Sequence, residues 1–597
     1  MKRSDIDAKY KWNLNALFES DAAWEKSFEE LKSESDEILR FKGRLYEGAD
    51  VLSEALKVSE TIERKLEDVV VYAHLKLDEN TKDGSYQSMN SRAESLAATV
   101  SEKSAFFMPE LMNGTFETIQ KFLAENDALK PYAFYFEKMF RHKEHVKTEE
   151  IETLLAQMDE VSSAPQNAYS MLLNADMKFE SVTDSKGEEH ALTNGSYIAL
   201  MMSGDRTLRK NTFESFYEVY KEHINTISSL MQSEIKKNQF YSKVRGFASA
   251  REAALFAGNI PVSVPDKLIE AVNEALPAFH KYMELRKRAL GYEELHLYDL
   301  YNPIIKEVSF DISYEEAKKT VLEAVKVLGE SYHEVMASAF DEGWIDVYEN
   351  EGKRSGAYSS GTYDSKPYIL LNHKENMDSM FTLIHELGHS MHTHLSSTHQ
   401  PYVYAGYSIF VAEVASTTNE ALLNDHLLKT TEGEDRKKYI LNHYLEQFRG
   451  TIFRQTMFAE FERDIHAHVE SGGALTADFL CDHYYALNQR YYGDSVIIDD
   501  EVRYEWARIP HFYYNFYVYQ YATGFSAAVS LADQILTEGD EAVKRYLTFL
   551  SSGSSQYPIE VLRRAGADME TEFPVKNALK VFEKTVDTFA EFFESNR

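Results

Sequence analysis

Neither glycine nor proline occurs between Thr207 and Val244, across TLRKNTFESFYEVYKEHINTISSLMQSEIKKNQFYSKV. Such breakers are thin throughout, with 26 glycines and 12 prolines in 597 residues. A chain so poor in residues that end helices, and rich in Glu, Lys, Leu and Ala, is held to a mostly helical fold. The first ~175 residues read as successive amphipathic helices. In DAAWEKSFEELKSESDEILRFKGRL, apolar side chains recur at helical spacing among charges, and Asp21 and Ser53 are the expected N-caps. No fixed period recurs, so a helical solenoid is not expected. With 44% hydrophobic residues there is ample material for a core, and the length suits about two to four units or one large catalytic unit.

Two stretches depart from helical spacing. The turn signal DSKGEEH, residues 184–190, lies between MKFESVT and HALT, which predicts a β-hairpin near 177–193. It sets the expected seam, with an N-terminal helical region over 1–195 and a catalytic region over 196–597. The second stretch, WIDVYENEGKRSGAYSSGTYDSKPYILLN at 344–372, alternates and carries aromatics and turn residues, as a small sheet does. Its PYILLN segment, 367–372, could take an extended peptide by strand addition. Gly356 and Gly361 would allow close backbone approach there.

Charge and cysteine content narrow the function classes. Lys and Arg total 64 against 97 Asp and Glu, a formal charge of −33. Such a surface repels phosphate backbones and anionic lipid, so neither nucleic acid nor membrane is an expected partner. The single cysteine, Cys481, leaves no disulfide framework and no Cys-based zinc site, and reads as a small core residue. MKRSDIDAKYKWNLNALF lacks the apolar region of a secretory signal, and no run of about 18 apolar residues occurs. A cytoplasmic protein is the expectation.

The chemistry-bearing stretch is TLIHELGHSMH, residues 382–392. On a helix, Asp378, Thr382, His385, Glu386, His389 and His392 share one seam at steps of three and four, while Met380, Leu383, Ile384, Leu387 and Met391 form an apolar stripe. A polar seam on a largely buried helix needs partners, and a metal supplies one for two imidazoles at once. Catalytic zinc normally takes three protein ligands. The third expected ligand is Glu413 in IFVAEVASTTNEALL, residues 409–423, set among Phe410, Val411, Val414 and Ala415. Glu420, two turns on, is a candidate acceptor for a ligand histidine N–H, and Asp378 a candidate outer partner. Zinc would lower the pKa of its water toward roughly 7, and Glu386 would take the proton and pass it to a leaving amine. His373, His394 and His399 do not share the seam and read as surface or packing residues.

TLIHELGHSMH followed by FVAEVASTTNE resembles the M3 family of zinc metallopeptidases, in its oligoendopeptidase F branch. The similarity extends to GAYSSGTYDSKPYILLN and to PHFYYNFYVYQYATGFSAA at 510–528. The resemblance implies a mostly helical, two-lobed fold enclosing a deep cleft, one Zn2+ per chain on His385, His389 and Glu413, and Glu386 as base. It further implies His511 and Tyr519 as carbonyl-binding catalytic groups, with Tyr514, Tyr517 and the Gly356 backbone on the substrate. Phe512 and Phe516 are expected in the core. The implied activity is endoproteolysis of short, unstructured oligopeptides. A dipeptidyl carboxypeptidase of the same family would need a cation such as Arg503 or Arg508 for a terminal carboxylate. A non-catalytic helical peptide-binding protein would hold no metal.

Overall fold

The stretch without breakers forms one helix, Arg206–Arg245, of 40 residues. Asp205 caps its start by accepting from the Leu208 N–H, and Gly246, at φ 88, ends it in a left-handed turn. A side chain with a Cβ would be strained at that φ, whereas glycine is not. The protein, seen in a computed structural model describing residues 1–305 and 311–594, is mostly helical with two small sheets. The N-terminal helices form as the spacing predicts, beginning with Asp21–Glu34 and Ala49–Glu79. Their caps differ from expectation. Ser20, not Asp21, caps the first helix by accepting from Ala23 N–H, and Ser53 lies inside a helix that starts at Ala49. Cys481 is buried in the helix Ala477–Tyr492, and burial pushes its thiol up to about 11.

The predicted hairpin is present but minimal. Strands β1 (Val182–Thr183) and β2 (Glu189–His190) pair antiparallel. Their turn is held by Asp184, which accepts from the N–H groups of Lys186 and Glu188. The second sheet has three strands, β3 (Ile345–Asp346), β4 (Tyr358–Ser360) and β5 (Tyr368–Leu370), in the order β3-β5-β4. β3 runs parallel to β5, and β4 antiparallel to it with Ser359 opposite Ile369. This corrects the expectation for PYILLN: its strand is the centre of the sheet, paired on both sides and fully buried. The edge strand on that side is β4, whose residues are half-buried.

By contacts the chain divides into two compact units, each assembled from three segments. One comprises Met1–Glu144, Ser309–His426 and Leu531–Gly566; the other comprises His145–Val308, Leu427–Ser530 and Ala567–Arg597. The first changeover is at Glu144/His145, not at the hairpin, because the N-terminal helices share a core with the three-stranded sheet. Trp12 packs edge-on against Tyr368 at 6.4 Å, and both belong to the apolar cluster that includes Trp24, Leu52 and Leu75. Pairings across more than 300 residues cannot be seen in a walk along the sequence. No helix of the described residues is long and apolar enough to cross a membrane.

Candidate active site

The motif lies on the helix Met377–His399 of the first unit, with Asn376 capping it through the Ser379 N–H at 2.9 Å. Met380, Leu383, Ile384, Leu387 and Met391 are buried to 1% exposure or less. Each such side chain contributes about 1.5–3 kcal/mol relative to standing in water, which fixes the rotation of the helix. That rotation turns His385 and His389 to the open side. A second helix, Ile409–Thr430, crosses at Gly388, where a Cβ would lie 2.5 Å from the Ser416 Cα. The close crossing brings Glu413 to the histidines.

Three donor atoms converge. His385 Nε2 and His389 Nε2 are 3.2 Å apart, and Glu413 Oε2 lies 3.4 Å from the first and 3.5 Å from the second. A tetrahedral zinc site with bonds of about 2.0–2.1 Å has ligand–ligand edges of roughly 3.3–3.4 Å, so this His-His-Glu set fits such an ion. Among the described residues it is the one group of three or more such side chains with that convergence. Glu413 differs in surroundings from expectation. Phe410, Val411, Val414 and Ala415 are buried, but its own side chain is 49% exposed. The neighbours occupy the packed face of the helix and the carboxylate the open one.

On the far side of His385, Glu420 Oε1 lies 2.5 Å from Nδ1. A carboxylate on Nδ1 keeps that nitrogen protonated and leaves the Nε2 lone pair facing the other two donors. Ser416 was not anticipated. Its hydroxyl lies 3.3 Å from Glu413 Oε2 and donates to the Glu413 carbonyl, so it orients the carboxylate. The sole sequence signal for it was its place one turn after Glu413. Burial works against a protonated His385, but Glu413 and Glu420 outweigh it and push the group up to about 10. The two histidines in turn hold the Glu413 carboxyl well below the usual range. The site therefore favours positive charge at its centre.

Glu386 is 7% exposed, and no protein group among the described residues donates to its carboxylate. Burial raises its pKa, partly offset by His385 and His389. Two seam residues depart from expectation. Asp378 is exposed in the first turn of the helix, and no hydrogen bond or ion pair joins its carboxylate to the histidines. It favours the positive end of the helix instead. His392 is 1% exposed, stacked on Tyr407 with centroids 3.7 Å apart, and burial pushes it down to about 3. Ten ångströms or so further along the axis than His385, it lies where neighbouring segments close over the helix. His373 and His394 pack against aromatic rings, and His399 is exposed, in keeping with their reading. Gly356 takes a φ of 88, and a Cβ there would meet nothing within 4 Å. Its glycine serves the turn ahead of β4, and Asn372 Nδ2 donates to its carbonyl at 2.8 Å.

The aromatic segment belongs to the second unit. Phe512 and Phe516 are buried, as expected. His511 sits among Tyr514, Tyr517 and Tyr521, with ring centroids 5.7, 6.2 and 5.9 Å away. The Tyr521 hydroxyl is 3.4 Å from His511 Nε2, a partner the sequence reading missed. Tyr514 is 49% exposed, whereas Tyr519 is 2% exposed. Burial beside Glu462 pushes the Tyr519 phenol far above its usual range. Tyr519 is thus buried beside Glu462, unlike Tyr514. The turn between the tyrosines is strained, with Asn515 at φ 45 and Phe516 at φ 57. The buried Glu462 holds it by accepting from the Phe516 N–H at 2.7 Å.

Comparison with known proteins agrees with the geometry. The profile of Peptidase family M3 matches residues 199–581, and that of Oligopeptidase F matches residues 110–179. The chain is 45% identical to Oligopeptidase PepF of Bacillus subtilis, over 99% of this chain and 88% of the relative. It is 43% identical to Group B oligopeptidase PepB of Streptococcus agalactiae, over 98% and 97% of the two chains. The crystal structure of oligoendopeptidase-F from Enterococcus faecium superposes with a TM-score of 0.73 at 38% identity, covering 96% of this chain and 99% of that one. A solved chain from Chlamydophila abortus gives a TM-score of 0.95 at 36% identity over 99% of each chain. The chain belongs to peptidase family M3 and is a metalloendopeptidase.

Proposed function

We propose that the metal is a single Zn2+ held by His385, His389 and Glu413, and that the protein hydrolyses internal bonds of short, unstructured peptides in the cytoplasm. The observation that carries this reading is the set of three donor atoms 3.2–3.5 Å apart with the unengaged Glu386 carboxylate beside it. The zinc, when bound, would supply Lewis acidity toward a carbonyl oxygen and toward water. Glu386 is the general base in this reading: among the described residues no protein group donates to its oxygens, so one can accept a proton from water and return it to the departing amide nitrogen. Burial raises its pKa, which strengthens it as a base. Glu420 positions His385 through Nδ1, and Ser416 positions Glu413.

An extended peptide would add to the outer edge of β4 rather than to PYILLN. Edge pairing reads backbone groups and so tolerates many sequences. β4 is anchored on the motif helix by the Ser359 and Ser390 hydroxyls at 2.8 Å, which ties the peptide's register to the site. His511, Tyr514 and Tyr517, with Tyr521, are proposed as a polar aromatic face for peptide groups on their own unit. Tyr519, being buried, is left out of it. The names of the relatives, oligopeptidase and oligoendopeptidase, support short peptides as substrates.

Endoproteolysis is favoured over removal of C-terminal dipeptides by the names of the relatives, oligoendopeptidase F among them. Of the two candidate cations, Arg503 pairs with Asp482 and Asp500, whereas the half-buried Arg508 lies over the Tyr197 ring at 5.0 Å and 3.9 Å from Glu505. The test is mass spectrometry of products from a mixed peptide set, half of it amidated at the C-terminus. The endopeptidase reading expects internal cuts in both halves and loss of all cuts on chelation. Cleavage confined to free C-termini would overturn it.

A further inference from the structure

Within the first unit, a cavity of about 670 Å³ lies beyond the C-terminal side of the motif. Thr393 and Ser397, one and two helical turns after His389, line it, and so does Gly361, the residue that follows β4. Tyr407 is part of the same wall: its ring stacks on His392, and its hydroxyl lies 3.0 Å from Thr393 Oγ1. The cavity therefore begins about 6 Å along the helix axis from His389, at the end of the strand proposed to hold the peptide. Its volume is that of an ordinary ligand pocket, and the mechanism above makes no use of it.

Two kinds of wall define what fits. The helix Ala49–Glu79 contributes Glu60, Glu63 and Glu67, which fall on one side of it at steps of three and four. A hydroxyl orients each carboxylate: Tyr132 donates to Glu60 Oε2, Ser59 to Glu63 Oε1 and Tyr402 to Glu67 Oε1, all at 2.8 Å. All three remain accessible, Glu63 being exposed and Glu60 and Glu67 half-buried. Glu63 Oε2 has no hydrogen-bond or ion-pair partner among the described residues. No Lys, Arg or His lines the cavity. Arg64 reaches Glu60 at 3.4 Å but is held at two points by Asp364, at 2.5 and 2.8 Å. Much of the remaining lining is aromatic or apolar, with Phe107, Met108, Tyr135 and Tyr363 among it. A concave wall of one charge sign concentrates the opposite charge, and ring faces suit an apolar stem or a guanidinium plane. An arginine or lysine side chain supplies both parts. A carboxylate is repelled, a neutral polar group forgoes the charge-assisted bonds, and a bare terminal ammonium has no stem to cover the rings.

We propose that this cavity is the subsite for an arginine or lysine side chain of the peptide substrate, within a few residues of the scissile bond. The subsite rests on the peptidase reading above. The test uses the zinc-loaded enzyme and internally quenched peptides in which Arg, its uncharged isostere citrulline, or Glu is walked through the positions on both sides of the cut. Each peptide is made with a free and with an acetylated N-terminus. At one position the Arg peptide should exceed the citrulline peptide in kcat/KM by about tenfold or more, and the ratio should shrink as salt is added. Glu63→Gln should lower that ratio severalfold and Glu63→Lys should bring it below one, with bound zinc at the wild-type level in both. A wild-type enzyme that treats Arg and citrulline alike at every position overturns the subsite, and this result stands even where a variant fails to fold. A ratio unchanged in folded Glu63→Lys overturns it too. A preference that vanishes on acetylation assigns the cation to the peptide's terminus and overturns the side-chain assignment. Cleavage of no peptide at all overturns the peptidase reading, and the subsite falls with it.

Discussion

A Cβ on Gly388 would lie 2.5 Å from the Ser416 Cα and 2.9 Å from its nitrogen, so the two site helices meet there backbone to backbone. Glu413 reaches the histidines because nothing larger than glycine separates them. Gly388→Ala is expected to cost about 1–3 kcal/mol through overpacking and to lower zinc occupancy, read by thermal unfolding and metal analysis. Unchanged melting and full zinc would remove Gly388 from the account. Glu386→Gln should keep fold and zinc while kcat falls by about 10²–10⁴-fold; wild-type turnover in that variant would exclude Glu386 as base. Glu420→Ala should weaken zinc binding by about 10–100-fold, measured by competition with a chelator, and an unchanged affinity would make Glu420 a bystander. His385, His389, Glu386 and Glu413 were legible because their chemistry is written in residue type and helical spacing. Gly388 and Ser416 were not, because their importance lies in how closely two helices cross. Asp378 and His392 share the seam in projection, yet their positions along the axis put one in solvent and the other in the core.

Helices were readable as elements because breaker content and 3.6-residue periodicity are local properties. The sheet was readable in place but not in order. PYILLN looks like an available strand until β3, parallel to β5, occupies its second side, and parallel pairing leaves no turn signal to read. The strained turn at Asn515 and Phe516 was also hidden, since neither residue is a glycine. Positive φ at a bulky residue persists only when its surroundings hold it, and the buried Glu462 does so through the Phe516 N–H. Glu462→Gln retains an acceptor and should preserve the turn, whereas Glu462→Leu should loosen it and lower turnover without loss of zinc. Equal activity in both variants would count against this role. Burial pushes the Glu462 carboxyl up to about 8. For a carboxyl raised above its unfolded value, the folded state binds the extra proton between the two pKa values, so its contribution to stability falls as pH rises from about 4.5 to 8 and then levels off. The melting temperature of Glu462→Gln relative to wild type should therefore climb across that window. A pH-independent difference would contradict the assignment.

At the scale of the molecule, sequence order and spatial order part company. The unit bearing the site begins with residues over 300 positions away from the motif. Arg3 pairs with Asp346 of β3 at 2.6 Å and with Glu79 at 3.0 Å, Asn13 N–H donates to Gly343, and Val347 N–H donates to Tyr10. A division at residue 195 was reasonable from a turn signal, but no local signal reports contacts of that range. The charge of −33 was legible as a global quantity, and it agrees with the acidic character of the site, where Glu386, Glu413 and Glu420 surround two histidines. The reading as a whole depends on a metal held by this set and on a base beside it. The most direct test is to measure bound zinc and peptide cleavage together while the metal is removed by a chelator and restored stepwise. About one zinc per chain, activity lost on removal and regained in proportion up to one equivalent is the predicted result. A protein that cleaves peptides equally well with no bound metal would contradict the account.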